Sequence, residues 1–260
     1  MTRAIGLAAL TVIELPPPQQ VSAAAAAGYT HVGLRLIPVG QQVLPAFEQR
    51  ELELRLADSG VKVLDVEVFR LDPGTDIPAF EPVLALAARL HATDILVHGN
   101  DGEKARLVEQ WGRLCELAGR HGLAANLEPM PWVEISTVAK AMEVLEAARR
   151  PNGKLLVDAI HFYRAQNTLA ELRRIPEARL SYIQFCDAQP GIPADMEEMI
   201  RQARGDRLFP GEGGLDLAGL LRALPADLPI SLEIPYAQPM PALERARRAL
   251  AATKALLDAR

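Results

Sequence analysis

The chain has 260 residues, 49% hydrophobic and 23% charged, enough apolar material for one sizeable core and too little polarity for a disordered chain. Its formal net charge of −5, with the basic residues scattered, leaves no stripe for a nucleic-acid backbone, and no apolar stretch approaches the length of a membrane span. The expectation is a cytoplasmic protein with neither nucleic-acid nor membrane partner, in which Cys115 and Cys186 are packed, reduced thiols and the start carries no cleavable leader.

In chain order, the first apolar run lies near residues 5–10. It leads to Glu14 and Pro16-Pro17-Pro18, which read as a rigid connection without chemistry. No Gly-rich turn follows this run, so a nucleotide cofactor is not expected. The Ala-rich segment 21–27 then predicts a helix that packs closely. The second run, 31–36, carries Arg35 at its end; the third, 61–69, ends near Glu67 and Arg70; the fourth, 94–98, ends on His98. Helical spacing fills 47–59, 80–90 and 104–120, where Trp111 reads as packing.

The last four runs share one feature. Runs 124–128, 154–158, 180–185 and 230–234 carry Glu128, Asp158, Gln184 and Glu233 at or near their ends. Helical segments at 135–149 and 243–257 continue the alternation. Trp132 falls in the loop after Glu128, where an aromatic surface can cover a substrate, and His161 follows Asp158 by three residues. Residues 189–206, with Pro190, Gly191 and Pro193 ahead of a Met- and Glu-rich stretch, depart from strand-helix timing and predict an inserted helical segment over a mouth.

Strand and helix alternate about eight times, which predicts parallel strands joined by right-handed crossovers. A single domain over residues 1–260, an α/β (β/α)8 TIM barrel, is the expected architecture, with an open doubly wound sheet as the alternative. In a barrel, the strand ends share one mouth, so Glu128, Asp158, Gln184 and Glu233 would bring oxygen donors together there. Clustered carboxylates repel unless a cation lies among them, so this set predicts a divalent-metal site. A solitary carboxylate at a strand end would more simply be solvated. Arg35, Glu67, Arg70 and His98 face the same mouth if the register holds, and arginines beside a metal suit an anionic small molecule.

The stretches Leu127-Glu128-Pro129, Val157-Asp158-Ala159-Ile160-His161, Ile183-Gln184-Phe185-Cys186-Asp187-Ala188, Arg207-Leu208-Phe209-Pro210-Gly211-Glu212-Gly213 and Ser231-Leu232-Glu233-Ile234 carry a family resemblance over the whole chain. The chain resembles the sugar phosphate isomerase/epimerase group of xylose isomerase-like barrels, with hydroxypyruvate isomerase, ketose 3-epimerases and 3-dehydroshikimate dehydratase among its members. The resemblance implies that Glu128, Asp158, Gln184 and Glu233 bind one divalent metal. Epimerases of the group commonly have His where this chain has Gln184, and an all-oxygen shell favours Mg²⁺ or Mn²⁺ over Zn²⁺.

It also implies that Glu128 and Glu233 pass a proton through a metal-bound enediolate, that His161 binds a substrate oxygen or acts as an acid, and that Arg207 holds substrate. The expected activity is isomerisation or epimerisation of a small hydroxy-carbonyl compound, such as a sugar, a sugar phosphate or a hydroxy-keto acid. A lyase of the dehydratase kind is the alternative, and a non-catalytic binding barrel a third reading. Members of the group also self-associate, so a homo-oligomer fits the resemblance.

Overall fold

A computed structural model describes residues 3–37 and 44–259. Eight parallel strands close in sequence order into one barrel: β1 Ile5–Leu7, β2 His31–Arg35, β3 Lys62–Leu71, β4 Asp94–Gly99, β5 Ala124–Leu127, β6 Gly153–Asp158, β7 Leu180–Phe185 and β8 Ile230–Leu232. Closure occurs where β1 pairs with β8, so the open doubly wound alternative is set aside. The helices are α1 Pro17–Ala27, α2 Ala46–Ser59, α3 Glu81–Arg89, α4 Lys104–Arg120, α5 Val138–Ala148, α6 Ala159–Arg164, α7 Leu169–Leu172, α8 Met196–Gly205, α9 Leu217–Arg222 and α10 Ala242–Asp258. None of the described helices is long and apolar enough to cross a membrane.

Period-two alternation along the strands splits the apolar residues into two cores. Side chains such as Val32, Ile95, Val97, Leu127, Val157 and Ile183 point outward and pack on the helix ring, with Trp111 of α4 wholly buried among them. Leu64, Leu96, Leu156 and Tyr182 form a separate plug inside the barrel. Cys115 and Cys186 are both free thiols and both buried.

Three irregularities set which residues look inward. Val32 pairs with Val63 and Leu34 with Val66, so Leu64 and Asp65 of β3 together oppose Gly33 of β2. That is a bulge, and it turns both side chains into the barrel. A second lies where Val66 pairs with Ile95 and Phe69 with Val97, so that Glu67 and Val68 of β3 together oppose Leu96 of β4. A third lies where Leu155 pairs with Leu180 and Val157 with Ile183. Gly33 makes room for the first: a Cβ there would stand 2.6 Å from Asp65 Oδ1.

Several expected bounds move. The run near 5–10 is extended only over Ile5–Leu7, because Ala9–Val12 winds into a 3-10 turn tied down by Thr11 Oγ1, which donates to the Leu232 carbonyl at 2.7 Å. Pro17 and Pro18 are not a mere connection: they fill the first turn of α1, where a missing N–H leaves nothing unsatisfied. The helix expected from 135 starts at Val138, where the Thr137 hydroxyl accepts from Lys140 N.

Candidate functional site

The C-terminal strand ends enclose a cavity of about 450 Å³. Eight of the expected site residues reach it: Arg35 from β2, Glu67 from β3, His98 from β4, Glu128 after β5, Trp132 in the following loop, His161 on α6, Arg207 after α8, and Glu233 after β8. Asp158 and Gln184 lie behind them, fully buried, at the ends of β6 and β7. Arg70, near the end of β3, lines the cavity as expected, and Arg204 of α8 is a further cation there. Arg204 carries no signal in the sequence, because only the path of α8 brings it to the mouth.

Glu128, Asp158 and His161 place ligand-type atoms within 4.8 Å of one another. Gln184 and Glu233 stand apart as a second pair: Gln184 Nε2 donates to Glu233 Oε1 at 2.7 Å. Arg207 joins the two groups, with Nη1 2.6 Å from Asp158 Oδ2 and Nη2 2.8 Å from Glu233 Oε2. The neighbouring Asp206 does not pair with Arg207; it pairs with Arg201 at 2.9 Å. Glu212 is exposed and pairs with Arg248 at 2.6 Å.

Each side chain is aimed by local structure. Asp158 is the N-cap of α6: its Oδ1 accepts from Ile160 N at 2.9 Å and His161 N at 3.2 Å, which fixes the carboxylate and starts the helix that carries His161. His161 Nε2 lies 3.8 Å from Glu128 Oε1, and the Trp132 ring meets the imidazole edge-on at 4.9 Å between centroids. On the other side, Arg70 Nη1 lies 3.0 Å from His98 Nδ1. A guanidinium can only donate, so Nδ1 accepts and Nε2 carries the proton that it shares with Glu128 Oε2 at 2.7 Å. Arg35 Nη2 pairs with Glu67 Oε1 at 2.8 Å.

Burial dominates the electrostatics. It pushes His98 and His161 each down to about 3, so both imidazoles are neutral at ordinary pH. Glu128 is pushed well above the usual carboxylate range by burial and then by Asp158. Glu233 is pushed up by burial, against the pull of Arg207 and with Glu67 and Asp158 adding to the push. Burial would also raise Asp158, but Arg207 and His161 outweigh it and hold that carboxylate low. The site thus pairs an ionised carboxylate with two reluctant ones, the division of labour that acid–base chemistry uses.

The donor set fits a divalent cation. Gln184 Oε1 and His161 Nδ1 are buried without a hydrogen-bond partner. Glu128 and Asp158 raise each other's cost of ionisation, and a cation between them would relieve it. His161 adds an imidazole nitrogen beside the oxygens of Glu128 and Asp158.

The family described as xylose isomerase-like TIM barrel matches residues 21–256. A 3-dehydroshikimate dehydratase of Pseudomonas aeruginosa is 26% identical over 235 residues, covering 84% of this chain and 36% of that protein. The chain therefore spans about a third of the length of this curated relative. A crystal structure described as the IOLI protein with a zinc atom superposes with a TM-score of 0.81 at 17% identity, covering 98% of both chains. A D-allulose 3-epimerase from Methylomonas sp., in complex with D-allulose, superposes with a TM-score of 0.73 at 18% identity, covering 97% of this chain and 96% of that one.

Proposed function

We propose, from the premise that the chain belongs to the xylose isomerase-like TIM barrel family, that it is a divalent-metal-dependent enzyme that removes the proton beside the carbonyl of a small hydroxy-carbonyl compound. The observation that carries this reading is the meeting of Glu128, Asp158 and His161 within 4.8 Å at the floor of a cavity of about 450 Å³. Gln184 and Glu233, bridged to them by Arg207, complete the donor set. A divalent metal held by these residues would supply Lewis acidity to the substrate carbonyl. Mg²⁺ and Mn²⁺ suit the oxygen donors, and His161 together with the zinc of the IOLI protein widens the range to Zn²⁺.

The protein groups divide the remaining work. Glu128 is the base: burial favours its protonated form, so it takes a proton readily, and the His98 N–H orients it. Neutral His161 stands beside Glu128 and hydrogen-bonds a substrate oxygen or passes a proton to it. In an isomerase or epimerase Glu233, whose protonated form burial favours, donates its own proton to the neighbouring carbon or the other face, and exchange with solvent then resets both carboxyls. Trp132 covers the bound molecule, and residues 189–206, with α8, cap the mouth of a single domain.

The second reading is loss of a β-hydroxyl from the same enolate, a dehydration. It is favoured by the curated relative, a dehydratase, and by the fixed state of Glu233, which Arg207 and Gln184 both hold. One experiment separates the two. Purified protein is titrated with Mn²⁺, Mg²⁺ and Zn²⁺ and given hydroxy-ketones and hydroxy-keto acids in deuterated water. Deuterium incorporation without a new chromophore supports isomerisation or epimerisation. A new conjugated absorbance supports dehydration. Neither signal with any metal across both substrate classes would sink the enzyme reading.

A further inference from the structure

The cations around the cavity are not equivalent. Arg207 is consumed by Asp158 and Glu233, and Arg35 by Glu67, so each already has its counter-charge. Arg70 has no ion pair among the described residues; its one hydrogen bond goes to His98, a neutral imidazole. Arg204 has neither a hydrogen bond nor an ion pair among the described residues, and its guanidinium lies 6.0 Å from the centroid of the Trp132 ring. Both line the same cavity, one from the barrel and one from α8.

Two guanidiniums brought to one cavity with no ion pair of their own raise each other's energy. Arg70 carries the mark of this: burial and then the charges of Arg35 and Arg204 increase its acidity, against the opposing pull of Asp72 and Glu128. Arg204 also acts on His98 and His161. A planar fork of donors on each of two arms is the arrangement that takes an oxyanion, with the low dielectric of a cavity strengthening the contact.

We infer that Arg70 and Arg204 form an oxyanion clamp that receives the carboxylate or phosphate of the substrate, so that the substrate is an acid or a phosphate ester in place of a neutral sugar. This rests on the reading of the cavity as an active site and adds its substrate class. Arg70 does two things in it. The arm that holds the anion also donates to His98 Nδ1, and His98 in turn donates to Glu128 Oε2. Anion recognition is thereby joined to the orientation of the base through a single imidazole. Arg204 sits on the segment 189–206, which makes that cap the part of the chain that selects charge.

The test uses the full chain loaded with Mn²⁺ and follows the fluorescence of Trp132, the tryptophan at the cavity; Trp111 is buried in α4 and serves as constant background. Three probes of similar size are titrated at low salt: a hydroxy-keto acid, a ketose phosphate and a neutral ketose. At least one oxyanion probe should bind ten-fold or more tighter than the neutral ketose, and its affinity should fall steeply with added salt. Arg204→Met should weaken that probe by ten-fold or more, Arg204→Lys should recover much of the loss, and the affinity for the neutral ketose should stay the same in each. Which oxyanion responds separates a carboxylate from a phosphate.

Equal binding of charged and neutral probes, or an Arg204→Met loss shared by all three, overturns the clamp. The same titrations run in deuterated water keep the two proposals apart. Metal-dependent exchange into neutral ketoses with no preference for acids leaves the enzyme reading standing and removes the clamp. Arg204-dependent anion binding without exchange under any metal does the reverse.

Discussion

Arg207 and Asp158 meet at 2.6 Å with both side chains almost wholly out of water, and the same guanidinium reaches Glu233 at 2.8 Å. One cation thus balances two buried carboxylates on different strands. Removal of one partner from such a group leaves charge uncompensated in a medium that solvates it poorly. Arg207→Ala should therefore lower the unfolding free energy of metal-free protein by about 3–5 kcal/mol. Added Mn²⁺ should recover part of the loss, because a second cation then faces the same carboxylates. A urea midpoint unchanged by the substitution would show that the ion pairs carry no net weight.

Glu128 is oriented by His98 and faces His161, and burial favours its protonated form. Glu128→Gln keeps the shape and a hydrogen-bonding oxygen while removing the proton acceptor. The rate of solvent deuterium entry into a responsive substrate should fall about 10²–10⁴-fold, the usual worth of a positioned base. His98→Phe should lower the same rate by a smaller factor, with substrate binding less affected than turnover. If Glu128→Gln turned over at the wild-type rate, the base would have to be sought elsewhere, first at Glu233.

Much of the barrel was legible because its signals are local. Eight apolar runs broken by helical spacing needed no tertiary information, and Asp158, Gln184, Glu128 and Glu233 fall at or directly after the ends of β5 to β8. What escaped was set at a distance. Nothing local in Lys62–Leu71 announces that Leu64 and Asp65 both turn inward; the bulge depends on the pairing with Gly33 across the sheet. The ion pairs of Arg207 escaped for a related reason: its partners Asp158 and Glu233 come in from the ends of two other strands, while its sequence neighbour Asp206 pairs with Arg201. Arg204 was hidden because only the path of α8 brings it to the mouth.

The bulge gives a prediction of its own. A Cβ on Gly33 would lie 2.6 Å from Asp65 Oδ1, closer than real contacts allow, so Asp65 must move inside a packed barrel. Gly33→Ala should cost about 1–3 kcal/mol, the range for overpacking. In an Asp65→Ala background the same substitution should cost far less, since the obstructing carboxyl is gone. A double-mutant cycle in urea reads the coupling directly. Additive costs would place Asp65 away from Gly33 and contradict the inward turn of β3.

The two buried imidazoles fix how stability should change in mild acid. Burial pushes His98 and His161 down to about 3, while an unfolded chain protonates histidine near its ordinary 6.5. Between those values the unfolded chain binds more protons, so the stability each histidine contributes is complete above 6.5 and is lost progressively as pH falls toward 3. Asp158, held low, loses its contribution only below the ordinary carboxylate range. Glu128 and Glu233 act with opposite sign: pushed up by burial, they cost stability as pH rises above their ordinary value, which blunts the wild-type profile. A comparison with the double variant His98→Asn, His161→Asn removes that complication, because the carboxylates remain in both proteins. Well below pH 6.5, metal-free wild type should lose up to about 1.4 kcal/mol more per pH unit for each histidine than the double variant does. Urea unfolding at half-unit steps from pH 7 to 5 measures the two slopes. Parallel slopes would mean that the imidazoles titrate as freely in the folded protein as in the unfolded chain.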